Sequence, residues 1–138
     1  MTQPLQTQYA TLNDRRLHFG RAFWQSIAFH IACLIAVAFL LRGLNLSTPL
    51  LGAAGAALGM ATLLMAFIAW RLQRLEVQYE FDLRAIEDHW IAAGETGIQR
   101  PAVSGRFGSR LAVVAALALF GAGLIGLGLV VLSAGLPK

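Results

Sequence analysis

The chain has 138 residues, of which 57% are hydrophobic and only 13% are charged. A typical soluble domain carries about 25% charged residues, and its helices keep one polar face toward water. All 18 charged residues (11 Lys and Arg, 7 Asp and Glu) lie outside three long apolar segments. This distribution of charge excludes a soluble fold.

The three charge-free segments are Phe23–Leu41, Leu50–Trp70 and Leu111–Leu132, with 19, 21 and 22 residues. A helix needs about 20 apolar residues to cross the roughly 30 Å hydrocarbon layer of a bilayer. The sequence therefore predicts an all-α membrane protein with three transmembrane helices, a hairpin plus a third span. We divide it into a cytoplasmic N-terminal segment (1–20) that is either a short interfacial helix, which we favour, or a loose tail, a transmembrane hairpin (21–72), a cytoplasmic amphipathic helix with a Gly/Arg loop (73–110), a third transmembrane helix (111–134) and an external tail (135–138).

Positive charge is distributed unevenly between the two ends of these helices. Nine of the 11 Lys and Arg residues lie in the N-terminal segment and the long loop, whereas Arg42 and Lys138 lie at the other end. Because positive residues remain in the cytoplasm, we expect a bacterial inner-membrane protein with a cytoplasmic N-terminus and a periplasmic or external C-terminus. We attribute the basic balance to anionic lipid headgroups and not to nucleic acid. The arginines expected to contact those headgroups are Arg15, Arg16, Arg21, Arg71, Arg74, Arg106 and Arg110.

An apolar stripe continues beyond the second span at steps of three or four residues. Its members are Leu75, Tyr79, Leu83, Ile86 and Trp90. The spacing predicts that the second helix extends into the cytoplasm to about Ala93, with Gly94 as a stop signal. Residues 75–83 also alternate between apolar and polar, as a strand would, but the chain offers no second strand to pair with it. We expect the stripe to face the membrane surface, the N-terminal segment of the same chain, or a partner protein.

Small residues recur along the second and third spans at three- or four-residue steps. They are Gly52, Gly55 and Gly59 in the second span and Ala118, Ala122 and Gly126 in the third. Small residues let helices approach closely in lipid, where no hydrophobic force drives them together. The rows predict helix packing, either within the chain or between copies of it.

A few polar side chains lie inside the predicted spans. Ser26, His30 and Cys33 share one helix face, and Thr62 lies at a similar depth in the antiparallel neighbour. We expect His30 and Thr62 to form a hydrogen bond across the hairpin. An ionisable residue within a membrane span also suggests a functional site, so structural and functional roles for His30 both stay open.

The sequence contains one cysteine and no Ser–His–Asp arrangement or phosphate-binding loop. We therefore predict no enzyme, no catalytic residue, no bound cofactor and no metal. The leading hypothesis is an accessory or interaction subunit of a membrane complex, bound to a membrane-protein partner or to copies of itself. Two alternatives are a homo-oligomeric pore-forming or holin/effector-like membrane protein, and a redox-complex subunit that uses His30.

Overall fold

The computed structural model describes residues 3–94 and 106–135. These residues form three α-helices and no strand: α1 (Gln3–Gly43), α2 (Thr48–Ala92) and α3 (Arg106–Ala134). Each helix is long and apolar enough to cross a membrane. The described part of the chain is therefore all-helical, with three candidate membrane spans, as the charge-free segments predict.

α1 is one uninterrupted helix of 41 residues, about 62 Å long at 1.5 Å per residue. The N-terminal segment from Gln3 is thus helical and continuous with the first span. Its inner face packs on α2, as described below. Packing of an apolar face stabilises a helix more than local propensity does.

α2 has 45 residues, about 68 Å. Pro49 lies in its first turn, where a missing N–H costs no hydrogen bond. The helix passes through residues 75–83 without interruption, so the helical interpretation of that segment is correct and the strand alternative is wrong. It ends where predicted: Gly94 follows with φ of +82°, a left-handed conformation that glycine adopts without strain.

α2 lies between the other two helices and packs against both. Among the described residues, the backbones of α1 and α3 do not approach each other closely, and side chains make the contact between these two helices. Side chains from all three meet at one level, in a small buried cluster. Its members are Phe23 and Ile27 of α1, Met65 and Ala69 of α2, and Val114 of α3.

Beyond the charge-free segments, the first part of α1 runs beside the last part of α2. We call this pair of helical segments (residues 3–22 and 71–92) the stalk. The α2 segment has 22 residues, which corresponds to a length of about 33 Å. The stalk carries most of the charged residues of the described chain.

Candidate functional site

Glycines bring α2 and α3 into backbone contact. A Cβ added to Gly59 would lie 2.6 Å from the carbonyl oxygen of Gly121, and one added to Gly52 would lie 2.5 Å from the backbone nitrogen of Leu132. A Cβ on Gly128 would come equally close to the backbone nitrogen of Ala56. Such distances leave no room for a side chain. The glycines of α2 therefore pack within the chain.

The structure corrects the residues predicted for the α3 side of this contact. Ala122 and Gly126 are exposed, and nothing lies within 4 Å of a Cβ built on Gly126. Gly121 and Gly128 pack against α2 instead. They are seven residues apart, as are Gly52 and Gly59. This shared seven-residue spacing is the sequence signal for the contact, and a search for small residues at four-residue steps misses it. A seven-residue repeat keeps one seam toward a neighbour over two turns.

The two remaining residues of the predicted rows make looser contacts. Gly55 also faces α3, where a Cβ would lie 3.6 Å from the Cα of Gly128, an ordinary contact distance. Ala118 is half-buried. These positions tolerate a small side chain, in contrast to Gly52 and Gly59.

His30 and Thr62 form the expected hydrogen bond between α1 and α2, with 3.2 Å between Nε2 and Oγ1. Thr62 is fully buried, and its hydroxyl donates to the carbonyl oxygen of Leu58 at 2.8 Å. A hydroxyl has one proton to donate, so the Thr62 oxygen must accept from His30. This assigns the proton of a neutral His30 imidazole to Nε2.

The other two members of the predicted polar face do not join this hydrogen bond. Ser26 and Cys33 are half-buried, and within residues 3–94 and 106–135 no hydrogen bond links either of them to Thr62. Their spacing places them on the correct side of α1. The structure nevertheless brings together only His30 and Thr62.

A largely buried ion pair joins α2 and α3 just outside the charge-free segments and packs against α1. Arg110 of α3 pairs with Glu76 of α2, and each side chain is only 14% exposed. The Arg110 guanidinium also lies over the ring of Phe23, 5.4 Å from its centroid. Gly20 of α1 makes room for the carboxylate, since a Cβ there would be 3.0 Å from Oε1 of Glu76. We call these four residues the junction. The position of Arg110 next to a span is visible in the sequence, but its pairing with Glu76 is not.

The remaining arginines predicted to contact lipid headgroups have different environments. Arg15, Arg21, Arg71 and Arg74 are exposed, and Arg16 is half-buried. The Arg74 guanidinium lies 4.9 Å from the centroid of the Trp70 ring, an arrangement typical of a cation–π contact. The side chain of Arg106 lies outside the described residues.

α1 covers the apolar stripe of α2. Leu83, Ile86 and Trp90 are buried and Leu75 and Tyr79 are half-buried. Two aromatic contacts make the cover: Phe19 stacks on Tyr79 with 5.5 Å between ring centroids, and Tyr9 contacts Trp90 at 5.0 Å. Of the three covers considered for the stripe, the structure selects the N-terminal segment of the same chain. The stripe therefore packs largely against α1 of the same chain.

Tyr9 joins α1 to α2 at the end of the stalk that lies farthest from the charge-free segments. Its hydroxyl donates a hydrogen bond of 2.8 Å to Oε1 of Glu87. Burial, and then the hydrogen bond and negative charge of Glu87, raise the pKa of Tyr9 above its usual value. The contact therefore requires a neutral phenol.

Metal-ligating side chains do not gather in the described part of the chain: no group of three or more His, Cys, Asp or Glu side chains is placed to hold an ion. Comparison with protein-family models, with curated proteins and with solved structures finds no match for this chain.

Proposed function

We propose that the protein is an accessory or interaction subunit of a membrane complex, inserted in the bacterial inner membrane through its three helices. In this arrangement the N-terminus and the stalk lie in the cytoplasm and the C-terminus lies outside. The protein performs no catalysis of its own. The exposed arginines near the boundary, Arg15, Arg21, Arg71 and Arg74, contact anionic headgroups.

The stalk is the observation that carries this proposal. Two paired helices about 33 Å long hold side chains at fixed positions well away from the charge-free segments. Their mutual face is closed by the contacts of Phe19 with Tyr79 and Tyr9 with Trp90. Phe81 lies on the outside of the stalk with 66% of its surface exposed. An exposed aromatic ring on a rigid support suits protein recognition, since aromatic residues are enriched among residues that dominate binding energy.

Partner binding is tested by purifying the full chain in native lipid at its natural expression level and measuring the subunit masses. The proposal expects a second protein in fixed stoichiometry. Phe81→Glu is expected to reduce its recovery by about tenfold, because loss of a hot-spot aromatic costs 1 kcal/mol or more. Gln78→Glu is the matched control, since it adds the same charge to an exposed site one turn away.

A single repeated mass, or equal recovery of the partner with both variants, would count against this role for the stalk surface. Tyr79 and Trp90 are unsuitable for the test. Both contact α1, so replacing them would open the stalk itself.

A homo-oligomeric pore-forming or holin/effector-like protein is the second candidate, and one observation favours it. Ala122 and Gly126 form an exposed small-residue pair on α3 with open space beside Gly126, where a second copy has room to approach. Induced expression with a dye-leak readout tests this function. An intact membrane potential at high expression would remove it.

The redox alternative has less support. Nε2 of His30 is engaged in the hydrogen bond with Thr62, which leaves only Nδ1 to bind a metal, and no group of three or more metal-ligating side chains gathers in the described residues. The purified protein is expected to have no haem absorbance. A Soret band that disappears in His30→Leu would reverse this preference.

A further inference from the structure

Three polar side chains, Ser26, His30 and Cys33, lie at the surface of α1 within its charge-free segment, and we call them the polar surface of α1. Each is half-buried. His30 is seven residues from Phe23, about 10 Å along the helix from the start of that segment. Polar side chains at such a depth in a membrane face another helix or a water-filled cavity, because hydrocarbon offers them no hydrogen bond.

The polar surface points away from α3. Successive residues of an α-helix are rotated by about 100°. Ile27 is therefore rotated about 60° from His30 in one direction, toward the buried cluster that α1 shares with α3. Ser26 and Cys33 are rotated about 40° and 60° from His30 in the opposite direction. Phe29, farther round on that side, is 72% exposed, so α3 does not cover this side of α1.

Two polar groups of this surface lack a hydrogen-bond partner within the described part of the chain. The Nε2 proton of His30 is directed to Thr62, which leaves Nδ1 as an acceptor without a donor. The hydroxyl of Ser26 makes no hydrogen bond there either. Ser133 on α3, by contrast, donates its hydroxyl to the carbonyl oxygen of Val130 at 2.8 Å. The polar surface thus presents one unpaired acceptor and one unpaired donor, one helical turn apart.

We infer that the polar surface of α1 binds the same surface of a second copy of this chain. A surface that carries both a donor and an acceptor is complementary to itself. Copies inserted in the same direction are parallel, and helical side chains lean toward the N-terminus, so the His30 ring of one copy lies near the level of Ser26 in the other. The Ser26 hydroxyl donates to Nδ1 of His30 in the second copy, and two-fold symmetry forms this contact twice.

The size of the side chains permits this approach. Ser26 and Cys33 are small and seven residues apart, the same spacing that brings α2 against α3 at Gly52 and Gly59. Small residues let membrane helices pack closely, and hydrogen bonds between helices add to the association. The inference rests on the proposed membrane insertion, and it is independent of partner binding by the stalk.

Cys33 allows a direct test, because it is the only cysteine of the chain and belongs to the polar surface. The full chain is reconstituted in liposomes at decreasing protein-to-lipid ratios and treated with a short bismaleimide, which joins two nearby thiols. A product of twice the chain mass is expected. Ile31→Cys in a Cys33→Ala background controls for random collision, because Ile31 is exposed at a similar depth but rotated about 100° from His30 toward the opposite side. This control is expected to give little product.

The hydrogen bond is tested by Ser26→Ala in the same assay. This variant is expected to raise the dissociation constant of the dimer, measured as the protein-to-lipid ratio at half-maximal cross-linking, by about tenfold, because each dimer loses two hydrogen bonds between helices. Ser26→Thr keeps a hydroxyl and is expected to keep the dimer. Ser133→Ala is the matched control, since it removes an exposed hydroxyl from α3 and is expected to leave the constant unchanged.

Equal cross-linking at positions 33 and 31 would overturn the contact, as would a dissociation constant that Ser26→Ala leaves unchanged. Cross-linking of Cys33 to a different protein in native membranes, without a product of twice the chain mass, would assign the polar surface to that partner instead. A chain that does not enter the liposomes would overturn the proposed insertion together with this inference, whereas a chain that inserts and stays monomeric would overturn the inference alone.

Discussion

α2 uses different chemistry for its two neighbours. Its contact with α3 lies within the charge-free segments and depends on glycine, with backbone against backbone at Gly52 and Gly59. Its contact with α1 in the stalk depends on aromatic rings, on buried Leu83 and Ile86, and on the Tyr9–Glu87 hydrogen bond. Along its length, α2 therefore changes from backbone packing at glycines to packing of large side chains.

The difference follows from the solvent proposed for each region. Lipid tails are as apolar as leucine, so burying large side chains gains little there and close approach of small residues gains dispersion energy. In water, burial of apolar area is the dominant gain, at roughly 25 cal/mol per Å². Variants that remove these contacts test whether close backbone approach stabilises the α2–α3 interface and side-chain burial stabilises the α1–α2 interface.

The largest effect is expected for Gly59→Leu. The new side chain would meet the carbonyl oxygen of Gly121, and such overpacking lowers the free energy of unfolding by about 3 kcal/mol. Titration of the reconstituted protein with a denaturing detergent measures this loss. Gly126→Leu is the control and is expected to change stability little, because its position is exposed and open. Equal losses in both variants would mean that Gly59 does not pack as described.

Glu76→Gln is expected to lower the free energy of unfolding by about 2–3 kcal/mol, because it leaves Arg110 largely buried without a counter-charge. The same detergent titration applies, and Glu80→Gln is the comparison. Glu80 pairs with Arg84 one turn away on the same helix, and such pairs contribute about 0.3–0.5 kcal/mol. The prediction fails if the two substitutions have equal effects.

A smaller loss, about 1 kcal/mol, is expected for Thr62→Val, which has nearly the same shape but cannot accept the proton of His30. His30→Leu is expected to cost a similar amount, and the double variant little more than either single variant. Additive losses in this double-mutant cycle would show that the two side chains are not coupled.

The smallest effect concerns pH and the far end of the stalk. Because the folded state raises the pKa of Tyr9, the stabilisation is complete below the unfolded value of about 10 and is lost as pH rises through the higher folded value. Fluorescence of Trp90, in a background of Trp24→Phe and Trp70→Phe, is expected to report opening of the stalk above about pH 10. Tyr9→Phe is expected to remove this transition, and its persistence would assign it to another group.

The sequence predicts the three apolar helices, the end of α2 at Gly94 and the pairing of His30 with Thr62. The helices and the end of α2 follow from local composition. The His30–Thr62 pair follows from counting residues inward from the same end of two antiparallel helices. The sequence does not predict which glycines of α3 face α2. Because α3 is apolar on all sides, it has no polar face that would indicate its orientation about its own axis, and packing alone decides that orientation. The Glu76–Arg110 pair joins residues distant in the chain. Neither Glu76 nor Arg110 by itself indicates which residue it pairs with.

Between Gly59 and the end of α2 at Ala92 there is no glycine or proline, and helices bend sharply at such residues. In the proposed membrane arrangement, this part of α2 is therefore a lever whose fixed end lies in the bilayer. A change of about 10° in the tilt of α2 moves the far end of a 33 Å arm by about 6 Å. Tilt depends on bilayer thickness, so in the proposed arrangement the position of the stalk tip is expected to change with the thickness of the surrounding membrane.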